Sequence, residues 1–261
     1  MKTVALWVVL IILFVAFYQV FSQPPPAGGV HEPVPTPQWS TIFANWLPIV
    51  FLFLFFIFFM RRLQSRHAPT HEGVKLLGQG RYVQALEIFE KYRRAQPNEP
   101  AGAFNSASTK LQLWKLDAAL VDLEAARKMA KGKVAALAAL LPEHLALVQA
   151  LLGRLGDARQ SVQDIPADQA DPGRVRLAEA IILVRSGDAA GARAKLSSFE
   201  VKQMSGTMGA LARTLDAMCI ERLTGELRHV DRIALFGETG PEELRKAWPE
   251  LINFVERAPA W

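Results

Sequence analysis

The stretch HEGVKLLGQGRYVQALEIFEKYRRAQP, residues 71–97, has apolar side chains at helical spacing on both sides of a glycine. Tyr82, Ala85 and Phe89 follow Gly80 at offsets of 2, 5 and 9 residues. A small residue at the turn, and an alanine one turn later, let two helices approach closely, while aromatic side chains fill the gap to the next pair. The pattern predicts two antiparallel helices joined at Gly80.

The same offsets recur along the rest of the chain. The turn and alanine positions of four units are Gly80 and Ala85, Trp114 and Ala119, Gly153 and Ala158, and Gly187 and Ala192. A weaker fifth unit begins at Gly225, so that successive starts are separated by 34, 39, 34 and 38 residues. A near-constant period of this length is typical of a solenoid of stacked helix pairs.

The first unit resembles the tetratricopeptide repeat, whose second helix carries a glycine, an aromatic residue, an alanine and a further aromatic residue in this order and ends at a proline such as Pro97. The resemblance implies an all-α solenoid over residues 66–238, which a capping helix at 239–261 would close. It also implies a concave groove, lined by the first helices, that binds a protein partner. The register places these side chains in the groove: Glu72, Lys75, Asn105, Lys110, Gln149, Glu179, Leu183 and Asp216.

Two apolar runs of about 19 residues, 3–21 and 42–60, precede the repeats. Each approaches the ~30 Å thickness of a bilayer core when helical. Lys2 and Arg61–Arg62 flank them, and the Pro-rich segment 22–41 between them has no lysine or arginine, which places both termini in the cytoplasm. We therefore predict a two-span transmembrane hairpin in the lipid bilayer of the bacterial inner membrane. A cleaved signal peptide in place of the first run would leave the repeats on the same side.

Residues 1–65 resemble the N-terminal region of FtsH-type AAA zinc metalloproteases. The resemblance lies in MKTVALW at residues 1–7 and WLPIVFLFLFFIFFMRRLQ at residues 46–64. A nucleotide-binding and protease module follows in that family, but this chain has no phosphate-binding G-x-x-x-x-G-K-[ST] motif. HEGVK at 71–75 has lysine where a zinc-binding H-E-x-x-H helix needs its second histidine. We predict no enzymatic activity, no cofactor and no metal.

The charge distribution argues against nucleic-acid binding. The chain has 30 Lys and Arg against 25 Asp and Glu, a formal net charge of +5, and no cluster of basic residues along the repeats. A nucleic-acid module usually concentrates its basic side chains on one face. The single cysteine, Cys219, excludes an intramolecular disulfide and lies in an apolar helical context, which indicates a buried thiol.

Three functions are open from the sequence. The first is a membrane-tethered scaffold that recruits a protein through its groove. The second is an adaptor or regulator that associates through its spans with an FtsH-type protease, and the third is a component of an envelope-assembly or transport machine. The spans could also mediate homo-oligomerisation. The scaffold requires only the features already named, and it is the function that we predict.

Overall fold

A computed structural model of the chain describes residues 50–58, 70–130, 135–166, 171–237 and 239–260. The chain divides into two compact units, Met1–Arg66 and His67–Trp261. In the first unit the described residues form one helix, α1, over residues 50–58. Most of its large apolar side chains are exposed, for example Phe51 and Phe58.

The predicted transmembrane hairpin is wrong. Among the described residues, no helix combines the length and the apolar character that crossing a membrane requires. The first proposed span, 3–21, and the segment 22–41 lie outside the described residues, and the second, 42–60, is described only over α1. The same finding overturns the inner-membrane location with cytoplasmic termini.

The described residues of the second unit are all-helical, as the sequence predicts. Helix α2 covers residues 70–78. The others are α3 (Tyr82–Ala95), α4 (Pro100–Gln112), α5 (Leu116–Ala130), α6 (Ala135–Leu151), α7 (Leu155–Gln163), α8 (Pro172–Arg185), α9 (Ala189–Leu196), α10 (Phe199–Lys202), α11 (Gly206–Thr224), α12 (Arg232–Phe236), α13 (Glu242–Ala247) and α14 (Pro249–Arg257). Within these residues no strand forms, and Val230 and Ala260 make an isolated bridge.

Four helix pairs, α2/α3, α4/α5, α6/α7 and α8/α9, share one type of turn. The turn residue has a left-handed backbone, with φ of 75° at Gly80, 58° at Trp114, 78° at Gly153 and 88° at Gly187. The next N–H donates to a carbonyl oxygen five positions earlier: Arg81 to Leu76, Lys115 to Lys110, Arg154 to Gln149, and Asp188 to Leu183, at 2.8–3.0 Å. This bond is the Schellman helix end, which satisfies a carbonyl group that the helix leaves unpaired.

The alanine that follows each turn is fully buried. Ala85, Ala119, Ala158 and Ala192 are all 0% exposed. Each N–H donates to the carbonyl of the residue just after the turn, at 2.9–3.1 Å, and this bond belongs to the first turn of the second helix. Because the side chain is only a methyl group, the second helix can lie close against the first. One short pattern therefore sets both the turn and the packing of each pair.

The fifth unit departs from the other four. Gly225 ends α11 with φ 77°, but residues 226–229 are not helical and α12 begins only at Arg232. From Gly225 onward the chain forms a strap, comprising residues 226–237 and 239–260, that returns to earlier pairs. Trp114 Nε1 donates to the Leu235 carbonyl at 2.8 Å, although the two residues are 121 positions apart. The region predicted as one capping helix holds two helices, α13 and α14.

Arginine side chains bind the strap to the helix pairs. Arg185 Nη2 donates to the carbonyls of Leu151 at 2.6 Å and Ala247 at 2.8 Å, and its guanidinium carbon lies 4.3 Å from the centre of the Trp248 ring. Burial lowers the pKa of Arg185 to about 10. Leu151 and Ala247 are the last residues of α6 and α13, where carbonyl groups lack helical partners. One guanidinium thus satisfies the ends of two helices and links them.

Candidate functional site

An open, mainly apolar cleft of about 470 Å³ lies among the first three helix pairs. Helix α2 contributes Thr70, His71 and Val74, and α4 with the residue before it contributes Glu99, Pro100, Ala101 and Asn105. Tyr92 of α3 and Leu137 of α6 complete the lining. The first helix of each of three pairs, α2, α4 and α6, therefore contributes to one concave surface.

Two glycines explain how α2 and α4 come to pack against α3 on either side of the cleft. A Cβ atom at Gly73 would lie 2.5 Å from Phe89 Cε1, and one at Gly102 would lie 3.0 Å from Tyr92 Cδ1. Without side chains at these two positions, both helices lie directly on the aromatic rings of α3. Pro100 begins α4, where its missing N–H is harmless.

The polar groups of the cleft are few. Glu99 is partly exposed and immediately precedes α4, but its side chain makes no capping hydrogen bond to that helix. Burial, and secondly the charge of Glu99, raise the pKa of Tyr92 above its ordinary value. Val74 is 51% exposed, so an apolar surface remains open to a ligand.

Three predicted groove residues lie on helices that line this cleft. Asn105 is partly exposed and lines it. Glu72 and Lys75 are exposed on α2, on the same helix as the lining residue Val74.

Lys110 is buried away from solvent instead. Its Nζ lies 2.7 Å from Asp122 Oδ2 and 3.3 Å from Glu90 Oε1, and the residue is 8% exposed. Asp122, 4% exposed, also accepts hydrogen bonds from Ser106 Oγ at 2.9 Å and from Arg93. This charged cluster ties α3, α4 and α5 together.

The other predicted groove residues also contact second helices or the core. The polar pairs are Gln149 with Ser161 at 2.7 Å, Glu179 with Lys195 at 2.7 Å, and Asp216 with Arg193 at 3.5 Å. Leu183 packs, partly buried, against the hydrophobic core. Each of these side chains holds helices together in this structure.

A second buried cluster joins α6 to the start of α8. Glu143 is fully buried, accepts a hydrogen bond from the Asp171 N–H at 2.9 Å, and pairs with Arg174. Burial, and secondly the charge of Arg174, lower the pKa of the neighbouring His144 to about 3, so the ring is neutral at physiological pH. The sequence contains the helix-start signal Asp171–Pro172, but nothing in it connects that signal to Glu143.

A smaller cavity of about 260 Å³ lies between α11 and the strap, with Arg213, His229 and Asp231 in its lining. In the part of the chain that the structure describes, no three His, Cys, Asp or Glu side chains are grouped so that they could hold a metal ion. Burial raises the pKa of the Cys219 thiol to about 11, so the thiol stays protonated at neutral pH.

Comparison with known proteins gives a partial likeness. No protein-family model matches the chain, so the tetratricopeptide assignment made from the repeat pattern has no support from comparison. The ATP-dependent zinc metalloprotease FtsH of Myxococcus xanthus (strain DK1622) is 32% identical to this chain over the matched part. The match covers 24% of this chain and 19% of that relative, so the chain spans less than a fifth of the relative's length.

Proposed function

We propose that the second unit is a protein-binding scaffold whose cleft, formed by α2, α3, α4 and α6, takes an extended segment or a helix of a partner protein. The observation that carries the proposal is the open apolar surface around Val74, which three first helices contribute. Concave surfaces of this kind are the usual binding faces of stacked helix pairs. The resemblance of the first unit to the tetratricopeptide repeat implies the same use.

The size of the cleft fits one or two apolar anchor side chains. Binding clefts typically enclose about 300–1,000 Å³ and combine an apolar lining with a few polar groups. Burying one leucine-sized side chain contributes roughly 1.5–3 kcal/mol. Two anchors on one turn of a helix, or at alternate positions of an extended segment, would give a peptide of moderate affinity.

We expect Val74→Glu to weaken peptide binding at least about tenfold, because a bound apolar anchor would bury the new carboxylate without a partner. Peptides selected from a random display library against the full chain provide the ligands, and fluorescence anisotropy gives the dissociation constants. Val121→Glu is the matched control, since Val121 is 64% exposed on the second helix α5. Equal weakening by both variants, or selection of no peptide, would contradict the proposed site.

The likeness to FtsH favours a second candidate function. In this proposal residues 1–65 associate with an FtsH-type protease, and the cleft brings partner proteins to that protease or regulates it. The sequence resemblance to FtsH-type proteases lies at residues 1–7 and 46–64, within this segment. Neither proposal assigns a catalytic step to this chain.

Co-purification tests this second candidate. We expect an FtsH-type protease to co-purify with the full chain from the native host. It should be lost when residues 1–65 are replaced by an unrelated segment of equal length and composition, with residues 66–261 unchanged. Recovery of the same proteins with both versions would assign recognition to the helix pairs and contradict a role for residues 1–65.

A further inference from the structure

We infer that the segment bound in the cleft carries a lysine or arginine beside its apolar anchor, and that Glu99 pairs with this cation. The inference rests on the proposed scaffold function and names the chemistry of its partner. Its basis is the Glu99 carboxylate, which has no ion-pair partner among the described residues and lies in a mainly apolar cleft.

Glu99 is placed at the cleft by backbone contacts alone. Its N–H donates to the Gln96 carbonyl at 3.1 Å, and its own carbonyl accepts from the Gly102 N–H at 3.2 Å. Its side chain does not cap α4, and within the described residues it takes part in no ion pair or side-chain hydrogen bond. The carboxylate therefore has no internal role that would explain its position.

Two other acids of the first two helix pairs, Glu90 and Asp122, are matched with cations. Glu90 and Asp122 both pair with Lys110, and Arg93 is engaged with Asp122. These basic side chains of α3 and α4 are thus committed within the fold, which leaves Glu99 to attract a cation from outside.

The surroundings of Glu99 favour such a pair. The cleft lining is mainly apolar, and Tyr92, whose pKa responds to the charge of Glu99, is only 6% exposed. A charge pair partly shielded from water is stronger than one on an open surface. The methylene groups of a lysine or arginine would also cover apolar lining while the charged end reaches the carboxylate.

An anionic ligand fits the cleft less well. The start of α4 would favour an anion by its helix dipole. Glu99 already places a negative charge at that position, so a carboxylate or phosphate group of the partner would meet repulsion there.

The test compares three versions of a selected peptide, with its basic residue, with glutamine or with glutamate at that position. The unchanged full chain should bind the basic version about tenfold more tightly. Glu99→Gln should remove this preference, and Glu99→Lys should shift it to a version with glutamate. Glu87→Gln, at an exposed acid of α3, is the matched control and should leave the preference intact.

The outcomes separate this inference from the proposed function. If Glu99→Gln keeps the preference, or the selected peptides are not enriched in lysine and arginine, the inference is overturned. Val74→Glu should still weaken both peptide versions in that case, because the apolar contact does not depend on Glu99. If Val74→Glu has no effect on either version, the cleft is not the binding site and the proposed function fails.

Discussion

Asp122→Ala is expected to lower the free energy of unfolding of the second unit by about 3–5 kcal/mol. Asp122 is 4% exposed and accepts hydrogen bonds or ion pairs from three side chains on α3 and α4. Its removal leaves Lys110, 8% exposed, with Glu90 as its remaining ion-pair partner among the described residues, at 3.3 Å. Urea denaturation of the full chain, followed by far-UV circular dichroism, measures the loss.

Two further variants isolate the cause of this effect. Asp117→Ala removes an exposed acid in the first turn of the same helix and should cost less than about 1 kcal/mol. The double change Asp122→Leu with Lys110→Met should recover much of the stability, because an apolar pair needs no compensating charge. A loss from Asp122→Ala as small as that from Asp117→Ala would mean that the cluster is solvated.

Trp114→Ala is expected to cost about 3–5 kcal/mol and to loosen the strap. The indole is 0% exposed, and it donates a hydrogen bond to the Leu235 carbonyl at 2.8 Å. Trp114→Phe keeps most of the ring but leaves that carbonyl unpaired, which costs about 1–3 kcal/mol. Hydrogen exchange should show faster exchange of the α12 amides in both variants, and denaturation gives the total loss.

The left-handed backbone at position 114 supplies an internal check. Trp114 is the non-glycine residue with positive φ among those described, with φ of 58°. A glycine at this position would avoid roughly 1 kcal/mol of the backbone strain that a residue with a Cβ atom has there. Trp114→Gly should therefore be less destabilising than Trp114→Ala. Phe199→Ala, at a 73% exposed aromatic residue of α10, should change stability by less than about 0.5 kcal/mol. Equal losses at positions 114 and 199 would contradict the packing described.

The repeat spacing predicted the places where the first four helix pairs turn, down to the residue. Gly80, Trp114, Gly153 and Gly187 were chosen from offsets alone, and each has a positive φ in the structure. Such turns depend on hydrogen bonds between residues five positions apart, so a short window of sequence contains the necessary information. The spacing does not predict the fifth unit correctly, because the strap takes the place of its second helix.

Groove residues were harder to predict than turns. Lys110 and Gln149 were placed on a ligand-binding face, yet both are buried and contact the second helices α5 and α7. Glu99, Tyr92 and Leu137 line the cleft, but the repeat pattern did not single them out. A helical period indicates which residues share a face, but the neighbouring helices decide which face is covered.

The prediction made from the apolar runs near the N-terminus was wrong. Hydropathy, length and flanking charges all predicted two membrane spans, and the described residues include no helix that meets the requirements for one. These criteria sum the properties of single residues and take no account of tertiary contacts.

The sequence by itself determined the all-helical class, the turn positions and the buried alanines of the second unit, because these depend on contacts within one or two helical turns. Only the tertiary structure decided which faces form the cleft and where the strap lies. The Trp114–Leu235 bond joins residues 121 positions apart, and Arg185 reaches Ala247 across 62. Such contacts depend on the path of the whole chain, which no local spacing encodes.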